Sequence, residues 1–199
     1  MRLILVRHGQ TDFHDPKRAQ GHLEVPLNAT GKVQAALLAK QYEGIEIDRL
    51  IASPLGRAQE TARALGRPIE TRPEVRERSY GEWEGSAFGE VNEKIAALGR
   101  AEGTDDLRGR PPGGESFADV WERTRPFVDE LLGYEGTTMV VSHGGALAVM
   151  VAQLISGTLE TVHSLHFYNC STTQLERRDD GHVLLHCVSV PVPGDPALP

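Results

Sequence analysis

Two segments of the sequence each place a histidine directly after a run of apolar residues. His8 follows the first run, in LILVRHG, and His143 follows a later one, in MVVSHGG. Short apolar runs rich in branched residues predict buried strands of a parallel sheet, and ligands of such sheets bind at the carboxyl ends of the strands. We therefore expect the two imidazole rings to face one another across one crevice.

Two arginines are expected at the same edge of the sheet. Arg7 precedes the first histidine, and Arg57 lies in the segment ASPLGRAQETA, after a predicted strand over residues 48–53. A guanidinium group is permanently charged and presents a planar set of donors that suits phosphate oxygens. Gly144 and Gly145 would let the start of a helix, with its free N–H groups, approach such an anion. These residues together predict an anion pocket.

The elements that must position these residues alternate in type along the chain. This alternation of strands and helices predicts an α/β domain with a mostly parallel sheet. Asn28 or Thr30 is predicted to cap the first helix. Strands are expected over residues 2–6, 48–53, 137–142, 171–177 and 182–190, and helices over residues 31–42, 55–65, 115–132 and 146–155.

Two stretches depart from this alternation. Residues 71–114 are irregular and rich in glycine and charge, with one helix predicted over residues 89–98. We interpret them as an insertion over the sheet, with a lid or specificity region at about residues 79–114, inside a single domain that spans residues 1–199. The prolines that begin at Pro191 predict a loosely attached tail.

The composition excludes several classes of partner. Lys and Arg number 21 against 28 Asp and Glu, so the formal net charge is −7, whereas a general binder of nucleic acid or of anionic membranes normally has the opposite sign. The chain has two cysteines without CxxC spacing, and it has no apolar run long enough to span a membrane. We predict a cytoplasmic protein with no nucleic-acid and no membrane partner.

Six blocks of the sequence then resemble one known family, in the family's order. They are LILVRHGQTDFH, QGHLEVPLNATG, SPLGRAQETA, RERSYGEWEG, PGGES and VSHGG, and they extend from Arg2 to about Ser171. A lone RHG would be weak evidence, but six ordered blocks are specific. The chain resembles the histidine phosphatase superfamily, also called phosphoglycerate mutase-like. The resemblance implies a three-layer α/β/α fold around the mostly parallel sheet.

The resemblance also implies a role for each matching residue. His8 matches the nucleophile that becomes a phosphohistidine, and Glu77 matches the general acid that protonates the leaving oxygen and later activates water. His143 matches a third catalytic residue, which an anion would favour in its protonated form. The matches to phosphate-binding positions are Arg7, Arg57, Gln20, Gly21, His14 and Gly144. The family usually has Asn where this chain has His14, which could still donate to a phosphate oxygen.

The reaction follows less directly from the sequence. The stretch WEGSAFGE has the form found in the family's phosphatases and lacks the lysine of its mutases. We therefore predict a phosphomonoesterase for a small phosphorylated metabolite, without cofactor or metal. A cofactor-dependent phosphoglycerate mutase and a phosphoprotein-directed member are the alternatives, and a metal-binding protein is considered because of the eight histidines. The sequence leaves the oligomeric state open, with a homodimer as one alternative.

Overall fold

Residues 1–197, which the computed structural model describes, form one mixed sheet with helices on both faces. The strands are β1 (Arg2–Arg7), β2 (Arg49–Ala52), β3 (Glu70–Thr71), β4 (Thr137–Ser142), β5 (Thr172–Arg177) and β6 (Val183–Val190). The helices are α1 (Ala29–Gln41), α2 (Gly56–Arg63), α3 (Phe88–Ala101), α4 (Phe117–Leu132) and α5 (Gly144–Leu154). Short 3₁₀ helices lie at Pro73–Val75, Gly81–Trp83 and Leu159–Ser164. The sequence analysis missed only β3 among the strands.

The sheet has the order β3-β2-β4-β1-β5-β6, in which the first four strands are parallel. Strand β5 pairs antiparallel with β1 and with β6, so the predicted hairpin closes one side of the sheet. In the parallel part, Arg7 lies opposite Ser142 and Ala52 lies opposite Val141. Strands β1, β2 and β4 therefore end at one edge, where the predicted site residues follow them.

Alternate residues of β1 enter two different cores. Leu3 and Leu5 pack into the core that contains α4 and α5, whereas Ile4 and Val6 pack into the core that contains α1 and α2. Burial on both faces explains why β1 is a continuous apolar run rather than an alternating one. The predicted three-layer α/β/α architecture is confirmed.

Side-chain caps fix the starts of two helices. Of the two predicted caps of α1, Asn28 is the one used, since its Oδ1 accepts a hydrogen bond of 2.8 Å from the backbone N–H of Gly31. Ser116 and Asp119 form a reciprocal capping box at α4, which begins at Phe117, two residues after the predicted start. Such caps satisfy backbone donors that a helix leaves without partners.

The inserted stretch has a small apolar cluster of its own. Val91 and Ile95 of α3 pack on Tyr80 and Ala19, away from the two main cores. This cluster joins the insertion to the loop after β1, and it holds Tyr80 at the edge of the sheet where β1 ends. The insertion at residues 79–114 thus lies beside the predicted site, and its role as a lid stays a prediction.

The prediction of a loose tail is wrong for the residues that the structure describes. Val192 is 2% exposed and Asp195 is 8% exposed. The amide Nε2 of Gln34 in α1 donates to both carboxylate oxygens of Asp195, at 2.9 and 3.0 Å. The prolines keep this segment out of the sheet without detaching it. Leu198 and Pro199 of the predicted tail lie outside the described residues.

Within residues 1–197, each helix is either too short or too polar to cross a membrane.

Candidate active site

Four separate elements bring the predicted catalytic side chains to the carboxyl edge of the sheet. Arg7 ends β1 and His8 follows it, Arg57 is the second residue of α2, and His143 caps the start of α5. Glu77 comes from the segment after the 3₁₀ helix Pro73–Val75. The ring centroids of His8 and His143 are 5.0 Å apart, so the two strand-end imidazoles do face one another.

The hydrogen bonds of His8 define which ring nitrogen is available. Its Nδ1 lies 2.7 Å from the carbonyl oxygen of Gly9, which only accepts, so Nδ1 carries the proton. Its Nε2 accepts from Nε of Arg57 at 3.3 Å. Burial, followed by the charge of Arg57, lowers the pKa of His8 well below its usual value. His8 is therefore a neutral imidazole whose Nε2 lone pair faces the cationic part of the site.

Arg57 is held by backbone carbonyl groups of the loop after β1. It is 1% exposed, and its Nη2 and Nη1 donate to the carbonyl oxygens of Gly21 at 2.8 Å and Leu23 at 2.9 Å. Burial lowers the pKa of Arg57 to about 10, which leaves it charged at neutral pH. Gly21 has φ +51°, and a Cβ there would lie 2.1 Å from Oε1 of Glu84. The positive φ would strain any other residue at this position.

His14 contacts Arg7 in a way that the sequence analysis did not anticipate. Nη2 of Arg7 donates to Nε2 of His14 at 2.8 Å, and Nδ2 of Asn169 lies 3.2 Å from the same nitrogen. A guanidinium group only donates, so Nε2 of His14 is an acceptor here rather than a donor. Burial, followed by the charge of Arg7, lowers the pKa of His14 to about 3. In this structure His14 positions Arg7, and its contact with phosphate stays a prediction.

His143 is the most deeply buried of the three imidazoles. It is fully buried, its Nε2 lies 2.8 Å from Oγ of Ser53, and its Nδ1 has no hydrogen-bond partner among residues 1–197. Burial, followed by the charges of Arg57 and Arg7, lowers the pKa of His143 well below its usual value. The imidazole is neutral in this state of the protein, and the predicted cationic form with a bound anion is not tested by the structure.

The start of α5 binds Glu77, which corrects the expectation of free N–H groups there. Gly145 and Ala146 each donate a backbone hydrogen bond of 3.2 Å to the Glu77 carboxylate, and Arg78 donates a third of 2.9 Å. A Cβ at Gly145 would lie 2.6 Å from Oε1 of Glu77, so the glycine makes room for this carboxylate. Gly144 instead lies against Arg7, since a Cβ added at Gly144 would lie 3.5 Å from Nε of Arg7.

A cavity of about 280 Å³ connects these groups. Gln20 lies on its wall with Nε2 3.4 Å from Nδ1 of His14, and its Oε1 has no partner in the described part of the chain. The predicted residues on its wall are Arg7, His8, His14, Gln20, Gly21, Arg57 and Glu77, whereas His143 lies behind His8 and Gly144 lines a neighbouring cleft. The structure therefore brings the predicted residues together, and their roles stay predictions.

Sequence reasoning missed two kinds of residue at this site. Asn169 donates from Nδ2 to the carbonyl oxygen of His8 at 3.0 Å and contacts His14 as well. It lies three residues before β5, whose pairing with β1 has no local signal in the sequence. Phe88, Tyr80 and His166 also line the cavity. Their ordinary residue types and scattered positions carry no signal that could have identified them.

No group of three or more His, Cys, Asp or Glu side chains in residues 1–197 is arranged to hold a metal ion. The eight histidines of the chain are therefore not gathered into a metal centre within that range. The prediction that activity needs no metal is a separate matter and is tested below.

The buried neutral histidines predict an acid-sensitive fold. Their pKa values are lowered in the folded state, so unfolding takes up protons below the ordinary histidine value of about 6.5. The contribution of these histidines to the free energy of unfolding is fully present above that pH. It is lost as the pH falls towards their lowered pKa values. Each such group adds about 1.4 kcal/mol per pH unit to the slope. We expect urea unfolding at pH 7, 6 and 5 to show this steep loss.

In the variant His14→Asn, unfolding should take up about one proton fewer, so the unfolding free energy should depend less steeply on pH. The exposed His182, which pairs with Asp180 at 3.2 Å, offers the matched control, since His182→Asn should leave the slope as in the parent protein. Equal slopes for His14→Asn and the parent protein would show that His14 does not titrate as the structure indicates.

Comparison with known proteins identifies the class to which this fold and site belong. The model of the histidine phosphatase superfamily (branch 1) matches residues 3–189, and the chain belongs to this family. It is 36% identical over 168 residues to glucosyl-3-phosphoglycerate phosphatase of Mycolicibacterium vanbaalenii, over 77% of this chain and 74% of that protein.

Two solved structures share the whole fold. The α-ribazole phosphatase of Shigella flexneri matches with a TM-score of 0.85 and 28% identity, over 95% of this chain and 96% of that one. A phosphoserine phosphatase variant of Entamoeba histolytica, solved with phosphoserine, matches with a TM-score of 0.81 and 27% identity, over 94% of this chain and 96% of that one. The predicted family and fold are confirmed, and the chain is a hydrolase of phosphoric monoesters.

Proposed function

We propose that the protein hydrolyses phosphate monoesters of small metabolites in two steps through a phosphohistidine on Nε2 of His8. The observation that carries the proposal is the hydrogen bond between Nδ1 of His8 and the carbonyl oxygen of Gly9 at 2.7 Å. It fixes the neutral tautomer and leaves the Nε2 lone pair as the nucleophile, 3.3 Å from Nε of Arg57. Covalent catalysis divides a difficult transfer into two easier ones.

In the first step, Nε2 of His8 forms a bond to phosphorus while the bond from phosphorus to the ester oxygen breaks. Arg7 and Arg57 stabilise the charge on the transferring phosphoryl oxygens. His143, whose ring centroid lies 5.0 Å from that of His8, keeps the place of the third catalytic residue, outside the wall of the cavity. Protonated Glu77 gives its proton to the leaving oxygen, so that a neutral alcohol departs.

In the second step, water replaces the alcohol. Glu77 takes a proton from this water, whose oxygen attacks phosphorus as the P–N bond breaks. Phosphate leaves, and His8 returns to the neutral imidazole with which the cycle began. The hydrogen bonds from Gly145 and Ala146 at 3.2 Å keep the Glu77 carboxylate at one place during both steps.

The size of the site supports a small substrate. The catalytic cavity has about 280 Å³ and shares wall residues with a neighbouring cleft of about 470 Å³, and the insertion at residues 79–114 forms part of the wall of that cleft. Volumes of this order are typical of sites for small molecules. The relatives named above are phosphatases for glucosyl-3-phosphoglycerate, α-ribazole phosphate and phosphoserine, which are small metabolites. A cytoplasmic location, the lack of a nucleic-acid partner and a homodimer stay predictions.

A screen of phosphorylated metabolites in excess chelator tests the proposal. We expect phosphate release from at least one alkyl phosphate, inhibition by orthovanadate as a phosphoryl mimic, and no loss of rate from the chelator. In a parallel assay, 3-phosphoglycerate with a bisphosphoglycerate primer should show little isomerisation. A mutase turnover far above every hydrolytic turnover would instead favour the mutase alternative, and restoration of a lost activity by a divalent ion would overturn metal independence.

A further inference from the structure

Glu77 lies in a segment that has no helix or strand of its own to fix it. Residues 76–80 connect the 3₁₀ helices Pro73–Val75 and Gly81–Trp83 and belong to neither. A general acid must nevertheless lie within hydrogen-bond distance of the leaving oxygen, and a displacement of about 1 Å at an active site can cost about 10²-fold in rate. The proposed mechanism therefore needs contacts that hold the backbone of Glu77 as well as its carboxylate.

Arg123 of α4 holds this segment through its backbone. Its Nη1 donates to the carbonyl oxygens of Glu74 at 2.6 Å and Arg76 at 3.2 Å, and its Nη2 donates to that of Glu77 at 3.4 Å. Its Nε and Nη2 also donate to the two carboxylate oxygens of Glu115, at 2.9 and 3.1 Å. This double contact fixes the plane of the guanidinium group. Arg123 thus gives these carbonyl groups the partners that they would find inside a helix or strand.

His22, in the loop after β1, holds the same carbonyl group of Glu77. Its Nε2 lies 2.8 Å from that oxygen, which only accepts, so Nε2 carries a proton and donates. The backbone N–H of His22 donates in turn to Oε1 of Glu84 at 2.8 Å, which fixes the place of the imidazole. The carbonyl oxygen of Glu77 therefore has two side-chain donors, which come from two distant parts of the chain.

His22 also lies between the two residues that hold Arg57. The carbonyl oxygens of Gly21 and Leu23 accept hydrogen bonds from the Arg57 guanidinium group at 2.8 and 2.9 Å. Three consecutive residues therefore contact Arg57 through their backbone and Glu77 through one side chain. The phosphoryl group and the leaving oxygen are bonded to each other in the substrate, so the spacing between Arg57 and Glu77 must match them. The contacts of these three residues help to set that spacing.

We propose that His22 and Arg123 are positioning residues, which act through the carbonyl group of Glu77 and place its carboxylate against the leaving oxygen. Neither residue lines the catalytic cavity or the neighbouring cleft, so their effect on the reaction passes through Glu77. This inference rests on the proposed function, because it assumes that Glu77 gives a proton to the leaving oxygen. Loss of either contact should then slow a reaction only to the extent that the leaving group needs that proton.

The variant His22→Ala tests the inference, since His22 is partly exposed and its truncation should leave the fold intact. Single-turnover phosphorylation of His8 by an alkyl phosphate that the parent protein hydrolyses should slow by about 10- to 100-fold. The nitrophenolate burst from p-nitrophenyl phosphate should slow at least about fivefold less, because that leaving group needs no proton. His22→Gln, whose amide can donate to the same oxygen, should recover most of the rate. Arg123→Lys, which keeps the charge but not the planar set of donors, should show the same dependence on the leaving group.

A double variant and a matched control separate positioning from a structural role. With the alkyl phosphate, Glu77→Gln combined with His22→Ala should be slower than Glu77→Gln alone by no more than about twofold, since both changes act on one step. Arg125 is exposed on α4 and pairs with Asp129 at 3.4 Å, so Arg125→Lys should change neither rate.

Two results for His22→Ala would overturn the inference: equal slowing with both esters, or an unchanged rate with the alkyl phosphate, while Glu77→Gln alone shows the expected dependence on the leaving group. If Glu77→Gln itself slowed both esters equally, the proposed general acid would be refuted, and the inference with it. Inactivity of the parent protein on every phosphate ester would refute the proposed function as a whole.

Discussion

The variant His8→Ala is expected to release phosphate at least about 10⁴-fold more slowly than the parent protein from every ester that the parent hydrolyses. Removal of a nucleophile from a group of residues that act as a unit costs nearly the whole catalytic effect. In the proposed mechanism, the lone pair that attacks phosphorus is that of Nε2 of His8, which lies 3.3 Å from Nε of Arg57. Steady-state phosphate release measures the effect.

The control for this variant is His186→Ala. His186 is exposed on β6 and pairs with Glu176 at 3.0 Å, so its loss should leave phosphate release as in the parent protein. Circular dichroism should show that both variants are folded. A folded His8→Ala variant that retained a tenth or more of the parent rate would mean that water attacks the ester directly, without a covalent intermediate.

The variant Glu77→Gln is expected to slow the hydrolysis of an alkyl phosphate by about 10²–10⁴-fold, the usual contribution of a general acid. An alkoxide is a poor leaving group and needs the proton, whereas nitrophenolate leaves without one. The nitrophenolate burst from p-nitrophenyl phosphate, which reports the phosphorylation of His8 alone, should therefore slow much less. Rapid mixing is required, because steady-state turnover also contains the second step, in which we propose that Glu77 is the base.

Glu82 supplies the matched control for Glu77. It lies exposed five residues further along the chain and outside both cavities, so Glu82→Gln should leave both rates near those of the parent protein. If Glu77→Gln slowed the phosphorylation of His8 equally with the alkyl phosphate and with p-nitrophenyl phosphate, the result would contradict the assignment of Glu77 as the general acid. Such a result would mean that Glu77 orients Arg7 or the start of α5 and gives no proton to the leaving oxygen.

The short apolar runs in the sequence were enough to predict the layers of the fold and the edge of the sheet at which the site lies. The apolar runs that end at His8 and His143 each form a strand buried on both faces, and parallel strands end at a common edge. The position of Arg57, at the start of the helix that follows β2, agrees with the same argument. These predictions depend on short stretches of chain whose residue types leave few alternatives.

Contacts between distant parts of the chain could not be predicted in this way. Asn169 reaches His8 across 161 positions, and Gln34 reaches Asp195 across the same separation. The first pair depends on β5 lying beside β1, and the second on the tail lying over α1. Neither is encoded in a local periodicity. The acceptor role of His14 was missed for a related reason, since it depends on the direction in which Arg7 points.

The aromatic stacking of Arg78 was hidden from the sequence for a further reason. Tyr80 is two positions away, but Phe117 belongs to α4, on the far side of the inserted stretch. In sequence, Arg78 belongs to the charged run VRERS, which is typical of a solvated surface. The ring of Phe117, at the start of α4, and the ring of Tyr80 cover its guanidinium group.

The isolation of phosphorylated protein tests the central claim most directly. Protein mixed with a ³²P-labelled ester and quenched in base, where a phosphoramidate survives, should carry label on the peptide that contains His8, with the phosphoryl group on Nε2. The His8→Ala variant should carry none. Label on Nδ1, label on His143, or the absence of label from protein that is releasing phosphate in the same mixture would contradict the account.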